Sequence, residues 1–283
     1  MKLEDLEKFA TMMLEYRQSL AFLVITPVWQ AVLNLTGSSD DPTNLEAGMA
    51  FEKRSLVPNP GKAGEKVMYS FSMQLSFFFG NIDKAGECAE KLKQETKGLT
   101  KAMVFYPTRL FFFALIAIAK FRQRHISKLK RAKFRMEAEK YTKTLRSFVS
   151  AGGINIVHKV QLLEAELLSL SPKEDVQTVQ KMYDSAIVSS SRGGFLNDAA
   201  LANYLCFQFC DDHGEEAATD YLVRSYNLWI DWDARAVADS LWARHPDCFG
   251  SSSSASLNFS SSGYRSRTRF NASLSELHKH LSV

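Results

Sequence analysis

The chain predicts an all-α protein built from antiparallel helix-pair repeats, a tetratricopeptide-like α-solenoid. Three observations carry that prediction. Apolar residues recur at i, i+3, i+4 and i+7 along most of the chain, the spacing of one helix face. Only seven prolines and fourteen glycines interrupt 283 residues, and they gather between these stretches. A pattern of small and large residues also returns at a spacing of about 40 residues, the signature of stacked helical units.

The elements follow in order. Leu3, Leu6, Ala10, Met13 and Leu14 lie on one face of a first helix. Thr26-Pro27 reads as an N-cap with proline at the first helical position, where its missing N–H costs nothing. Val28, Ala31, Val32 and Leu35 form the buried stripe of that second helix, and Gly37 ends it. Residues 37–65 hold four glycines and three prolines, so they read as a long loop, an insertion or a weakly ordered joint. Phe71, Leu75 and Phe78 then precede a turn at Gly80-Asn81, and Ile82, Ala85, Ala89 and Leu92 line the returning helix. Thr100 is placed to cap the next helix, which Pro107 should kink or restart. A basic helix runs to about Phe148 and closes at Gly152-Gly153. Another covers Ile154 to Leu170. Ser171-Pro-Lys-Glu174 has the form of a capping box with proline at N1, opening a helix that ends at Gly193-Gly194. Two further helices, 197–212 and 215–230, meet at His213-Gly214, and a last one, 233–244, stops at Pro246.

The expected organisation is therefore an N-terminal helix pair (1–36), the loop or insertion (37–65), helical repeats (66–247), a serine-rich linker (248–263) and a basic tail (264–283). Leu274, Leu277 and Leu281 give the tail the spacing of a short helix. Hydrophobic content of 46% and charged content of 23% are those of a folded chain, which excludes a disordered one. Four cysteines without CxxC spacing give no disulfide framework. With no signal-peptide pattern at the start, the expected setting is the cytoplasm, and the glycosylation-like triplets at Asn34, Asn258 and Asn271 are chance matches. Leu110 to Ala119 is a run of ten apolar residues between Arg109 and Lys120. A bilayer span needs about 20, so a buried core helix is the expectation and a membrane segment the alternative.

The repeat pattern is explicit in two places. Leu205-Cys206-x-x-Phe209 with Ala218-x-x-x-Leu222-x-x-Ser225 is one unit, and Ala165-x-x-Leu168 with Val179-x-x-x-Tyr183-x-x-Ala186 is another. Small residues let helix backbones approach while large ones fill the gaps between them. Gly80-Asn-Ile-Asp-Lys-Ala85 with Ala89 and Leu92 repeats the turn and second helix once more. His158-Lys159, Ala165-Glu166, Met182-Tyr183-Asp184-x-Ala186-Ile187, Ala200-Leu-Ala-Asn203, Tyr221-Leu222-x-x-Ser225-Tyr226, Trp229, Trp232 and His245-Pro246 follow in order. Over roughly residues 3–247 the chain thereby resembles the helical region of large multi-domain signalling kinases. There an AAA/STAND-type ATPase precedes such a region, and a GAF sensor and histidine kinase often follow it. That family usually has Trp-Gly before its last helix, where this chain has Trp232-Asp233. The resemblance implies a non-catalytic helical interaction segment of intracellular signalling, a fragment or stripped-down relative without the ATPase or kinase part, whose stacked repeats bind a peptide or a neighbouring domain on a concave face. The alternative is a remnant of such a kinase that acts with separately encoded catalytic domains.

Residues for chemistry are sparse. Gly61-Lys-Ala-Gly-Glu-Lys66 lacks the Gly-Lys-Ser/Thr of a phosphate-binding loop and reads as a turn. Neither HExxH, GxSxG nor a kinase loop occurs. Cys206, Cys210 and His213, with His245 and Cys248 downstream, suggest a zinc site, against which stands the role of Cys206 as a small core residue. His158 reads as a packed or capping histidine. Asp211-Asp212 and Glu215-Glu216 flank a turn and a helix start, where carboxylates suit the dipole. Phe77, Phe78, Phe79 and Phe111 to Phe113 read as core. No catalytic, cofactor or metal residue is assigned, and the chain is not expected to be an enzyme.

One surface stands out. Lys120, Arg122, Arg124, Lys128, Lys130, Arg131, Lys133 and Arg135 form a run without a single acid. These eight exceed the net charge of +4, so the rest of the chain is net acidic and the basic character is local. The readings are docking of an acidic protein or peptide, attachment to an anionic membrane together with 110–119, nucleic-acid contact without sequence specificity, or simply a solvated helix face.

Overall fold

The computed structural model describes residues 3–57, 64–94 and 105–250, and among them every regular element is helical. The first two helices already depart from the sequence expectation. Helix α1 (Leu3–Glu15) buries Leu6 and Ala10 as expected, but α2 (Ser19–Thr36) runs straight through Pro27 instead of starting there. Proline removes the bond to the carbonyl four residues back, so Leu23 oxygen loses its helical donor. Gly64 approaches that oxygen so closely that a Cβ on it would lie 2.2 Å away, at φ +81°. Thr26, rather than capping, donates to Phe22 oxygen at 2.7 Å. The buried face of α2 is accordingly Phe22, Thr26, Trp29 and Leu33, while Val28, Val32 and Leu35 are half-buried.

Residues 37–57 are wound onto α2 by two buried amides. Asn34 Nδ2 donates to the carbonyls of Asp41, Pro42 and Asn44 at 3.3, 3.1 and 3.0 Å. Gln30 donates to Asn34 Oδ1 at 2.9 Å and accepts from Ala50 N–H at 3.0 Å. Short α3 (Met49–Glu52) and a 3-10 turn (Lys53–Leu56) complete this stretch, so it is folded structure and not a loose joint.

Helix pairs follow. Helix α4 (Glu65–Phe78) turns at Gly80 into α5 (Ile82–Gln94). Helix α6 (Tyr106–Arg122) starts with Pro107 in its first turn, so the proline opens a helix and does not kink one; Thr100 lies outside the described residues. After α6 come α7 (Lys128–Ser150), α8 (Val157–Leu168) and α9 (Val176–Arg192). Residues 171–174 are not the capping box expected of them. They close a turn, Glu174 N–H to Ser171 oxygen at 3.3 Å, and Asp175 caps α9 by accepting from Thr178 N–H at 3.0 Å. A carboxylate here both accepts that bond and favours the helix dipole, which the serine hydroxyl does less well. Helices α10 (Leu196–Asp212), α11 (Ala218–Asp231) and α12 (Arg235–Arg244) complete the unit that ends at Arg244. The second unit, from His245, contributes only α13 (Pro246–Gly250) to the described residues, and the serine linker and basic tail lie outside them.

The helices of the first unit differ in how they are buried. Every residue of α6 from Arg109 to Ile118 is buried, and α10 is covered almost as fully from Asp198 to Cys210. Helices α7, α9 and α11 bury one stripe each, for example Val179, Tyr183, Ala186 and Ser190. The apolar run 110–119 is thus an interior helix, which explains its membrane-like composition. Cys206, Ala218 and Ser225 are buried where small residues were expected, and Glu216 is exposed. Helix α12 packs back on α2, and Arg244 donates to the Phe78 carbonyl at 3.3 Å and to Tyr204 hydroxyl at 3.0 Å. Phe78 and Trp229 rings meet at 4.9 Å beside this closure.

The turn into α12 contains a non-glycine residue in the left-handed region. Asp233 sits at φ +61°, with its N–H on Ile230 oxygen and Ala234 N–H on Trp229 oxygen, a left-handed helix end where glycine fits best. Asp233→Gly should therefore stabilise the protein by about 0.5–1 kcal/mol, a gain that urea unfolding resolves.

Candidate docking surface on α7

The eight cations of the basic run do not share one helix face. Lys120 and Arg122 end α6, Arg124 lies in the connection, and the other five are on α7. Four of the eight have structural work. Lys120 passes across Gly86 of α5, where a Cβ would lie 2.2 Å from its ammonium nitrogen, and points at the Phe134 ring. Arg122 pairs with Glu166 of α8 at 2.9 Å and donates to Ser169 Oγ at 2.7 Å. Burial works against its charge, but the Glu166 carboxylate more than offsets this and raises its pKa. Arg131 donates to the carbonyls of Gln123 and Arg124 and stacks over Phe121, pinning the α6–α7 connection. Arg135 pairs with Glu139 one turn on, at 3.0 Å.

The remaining four, Arg124, Lys128, Lys130 and Lys133, are exposed and make no side-chain ion pair or hydrogen bond with any described residue. Lys128 and Lys130 lie in the first turn of α7, which Ser127 caps by accepting from Lys130 N–H at 3.4 Å. Cations at a helix N-terminus oppose the macrodipole and cost a few tenths of a kcal/mol each. The arrangement is unfavourable for the isolated fold.

Two apolar side chains stand among these cations: Leu129 is 84% exposed and Met136 69%. Positions 129, 132 and 136 share one side of a helix, opposite the buried Ala138, Thr142 and Leu145. The surface is an apolar seam with ammonium groups along it. Sequence reading found the charges and missed the seam. The signal was present, since Leu129 and Met136 fall outside the stripe that the buried residues of α7 define.

A second polar cluster lies inside the fold. His158 Nε2 and Lys159 Nζ of α8 both meet Asp198 Oδ2 of α10, at 2.8 and 2.5 Å. His158 stacks on Phe195 and Lys159 lies over Phe111. Burial pushes the Asp198 carboxyl up, but Lys159 and His158 together hold it below the usual carboxylate value. The buried Asp198–Lys159 ion pair and the His158 ring thus satisfy one another, the packed role expected of His158. Glu166, buried on the same helix, also accepts the Tyr183 hydroxyl of α9 at 2.5 Å, so α8 ties α6, α9 and α10 together through side-chain polar groups.

Cys206 and Cys210 place their sulfurs 4.0 Å apart in the interior. That contact, together with burial, pushes the Cys206 thiol up and keeps it protonated. His213 is occupied by Phe209 oxygen at 2.7 Å. Among the described residues no three His, Cys, Asp or Glu side chains converge to hold a metal ion. Helix α2 is long and apolar enough to cross a membrane, with half of that window buried in the fold.

No protein-family model matches this chain, and neither a curated protein nor a solved structure does.

Proposed function

We propose that this chain is a non-catalytic helical interaction module of intracellular signalling, which binds an acidic, apolar-containing segment of a partner along α7. The observation that carries the reading is the set of four exposed cations, unpaired among the described residues, around exposed Leu129 and Met136, two of them in the first turn of α7 where positive charge opposes the helix dipole. An acidic amphipathic helix or strand supplies carboxylates for Arg124, Lys128, Lys130 and Lys133 and apolar groups for the seam. Helix pairs stacked as tetratricopeptide-like repeats present such a surface on their outer helices. The contact between α12 and α2 and the buried aromatic interior favour this outer face over a concave groove. Resemblance to the helical region of ATPase-linked signalling kinases agrees with the cytoplasmic, regulatory role.

The test is a titration of fluorescent acidic peptides carrying leucine at i, i+3 and i+7. Replacing Arg124, Lys128, Lys130 and Lys133 with glutamine should weaken binding by at least about tenfold, roughly 1.4 kcal/mol, without changing helicity. Arg131 is left in place because it holds the connection. Unchanged affinity in the quadruple variant would reduce these cations to a solvated face.

A membrane reading draws on a different observation. Phe9 and Met12 on α1, Tyr16 in the turn after it, and Leu20 and Val24 on α2 are all exposed apolar side chains. Flotation of the chain with neutral-lipid vesicles, lost in Tyr16→Glu/Leu20→Glu, would support attachment there, whereas 110–119 is taken up by the interior.

A further inference from the structure

One interior charge has no counter-charge among the described residues. Arg109, in the first turn of α6, is only 2% exposed and forms no ion pair among the described residues. Its Nε donates to Ser70 Oγ at 2.7 Å and its Nη2 to Lys66 oxygen at 3.4 Å, both on α4. Its Nη1 is buried and has no hydrogen-bond partner among the described residues. A guanidinium is a planar fork, so the Nε–Nη2 edge faces α4 and Nη1, with two N–H donors, is turned away from that edge. Burial lowers the pKa of the group, yet an arginine keeps its charge. A buried cation of this kind calls for an anion.

Contacts place the surroundings. Arg109 touches the first turns of α4, so α4 and α6 begin at the same end. Lys159, in the first turn of α8, lies 4.7 Å over the Phe111 ring of α6. Asp198, in the first turn of α10, holds His158 and Lys159. Four helix N-termini are therefore gathered at one end of the unit, and their dipoles add positive potential there. Among the described residues, Arg109, Lys159 and Lys66 bring positive charge to this end. Asp198 is occupied by Lys159 and His158, and no described carboxylate, Glu65 on the first turn of α4 included, pairs with Arg109.

We propose that this end of α4, α6, α8 and α10 is an oxyanion-binding site in which Arg109 Nη1 supplies the ligating N–H groups. The ligand is a phosphate or carboxylate group, which offers the acceptors and the negative charge the site lacks. This site is separate from the α7 surface and stands or falls independently of it.

The test uses the full chain with inorganic phosphate and, in a second arm, acetate, each titrated against chloride at constant ionic strength. Phosphate should raise the unfolding temperature saturably and broaden its own 31P resonance. Arg109→Gln should lose both effects, and Arg109→Lys should need at least tenfold more phosphate. A saturable response to acetate alone supports the same site and assigns it a carboxylate ligand. A chain with Lys128, Lys130 and Lys133 replaced by glutamine keeps Arg109 and should respond like the native one, a comparison that holds even where Arg109→Gln does not fold. The proposal is overturned by no saturable response to either anion, by a full response in Arg109→Gln, or by loss of the response when only the surface lysines are removed.

Discussion

Asp198→Ala is expected to destabilise the protein by about 3–5 kcal/mol, because it strands Lys159 and His158 together in the interior. The carboxylate is the acceptor that Lys159 and His158 share among the described residues, and both side chains are almost fully buried. Urea unfolding measures the loss, and a cost below about 1 kcal/mol would mean that the two side chains find water when the carboxylate is gone. The acid side of the stability curve carries the same information. Since the folded Asp198 pKa lies below its ordinary 3.8, its contribution is complete above that pH and disappears as pH falls through the folded value. Asp198→Asn should flatten the fall in stability below about pH 4.

Glu166→Ala is the second large effect, at about 2–4 kcal/mol. It removes the partner of Arg122 and the acceptor of the Tyr183 hydroxyl in one step. The upper end of a buried-pair loss is not expected, because the Arg122 side chain is 34% exposed and water screens it. Tyr183 adds an alkaline signature. Burial, reinforced by the neighbouring Glu166, raises its pKa well above 10, so the neutral phenol is the folded form. A raised folded pKa contributes stability that is present below the unfolded value and is lost as pH rises past it. Tyr141, pushed up to about 12 by burial, acts in the same direction. The native chain should lose stability above about pH 10, and Tyr183→Phe should lose less over that range. Equal alkaline slopes for the two proteins would place the titrating group elsewhere.

Much of the helical layout was legible because 3.6-residue spacing and glycine turns are local signals. Gly80, Gly194 and Gly214 all adopt positive φ at the expected turns. What the sequence concealed depends on partners far along the chain. Pro27 reads as a helix start until the close approach of Gly64 to Leu23 oxygen is known. Asn34 and Gln30 look like polar interruptions of an apolar helix, but they hold 41–50 in place. The capping-box spacing at 171–174 was outcompeted by a carboxylate one residue on.

The candidate surface was half legible. Charge along the sequence identified all eight cations, yet their partners decide which are free. Glu166 lies 44 residues from Arg122 in sequence, and nothing local links them. Arg109 shows the same effect in reverse. In the sequence it merely bounded an apolar run, and only burial makes visible that no described residue supplies its counter-charge.

The central claim, that α7 is the docking face, is tested most directly by crosslinking in the cell. A photoreactive residue placed at Leu129 or Met136 on α7, or at Val188 on α9, reports which outer helix a partner touches, since all three side chains are exposed. Docking on α7 gives a crosslinked species from positions 129 and 136 whose attached peptide is rich in Asp and Glu, and none from 188. Crosslinks from 188 with none from α7, or an attached peptide without acidic residues, would contradict it.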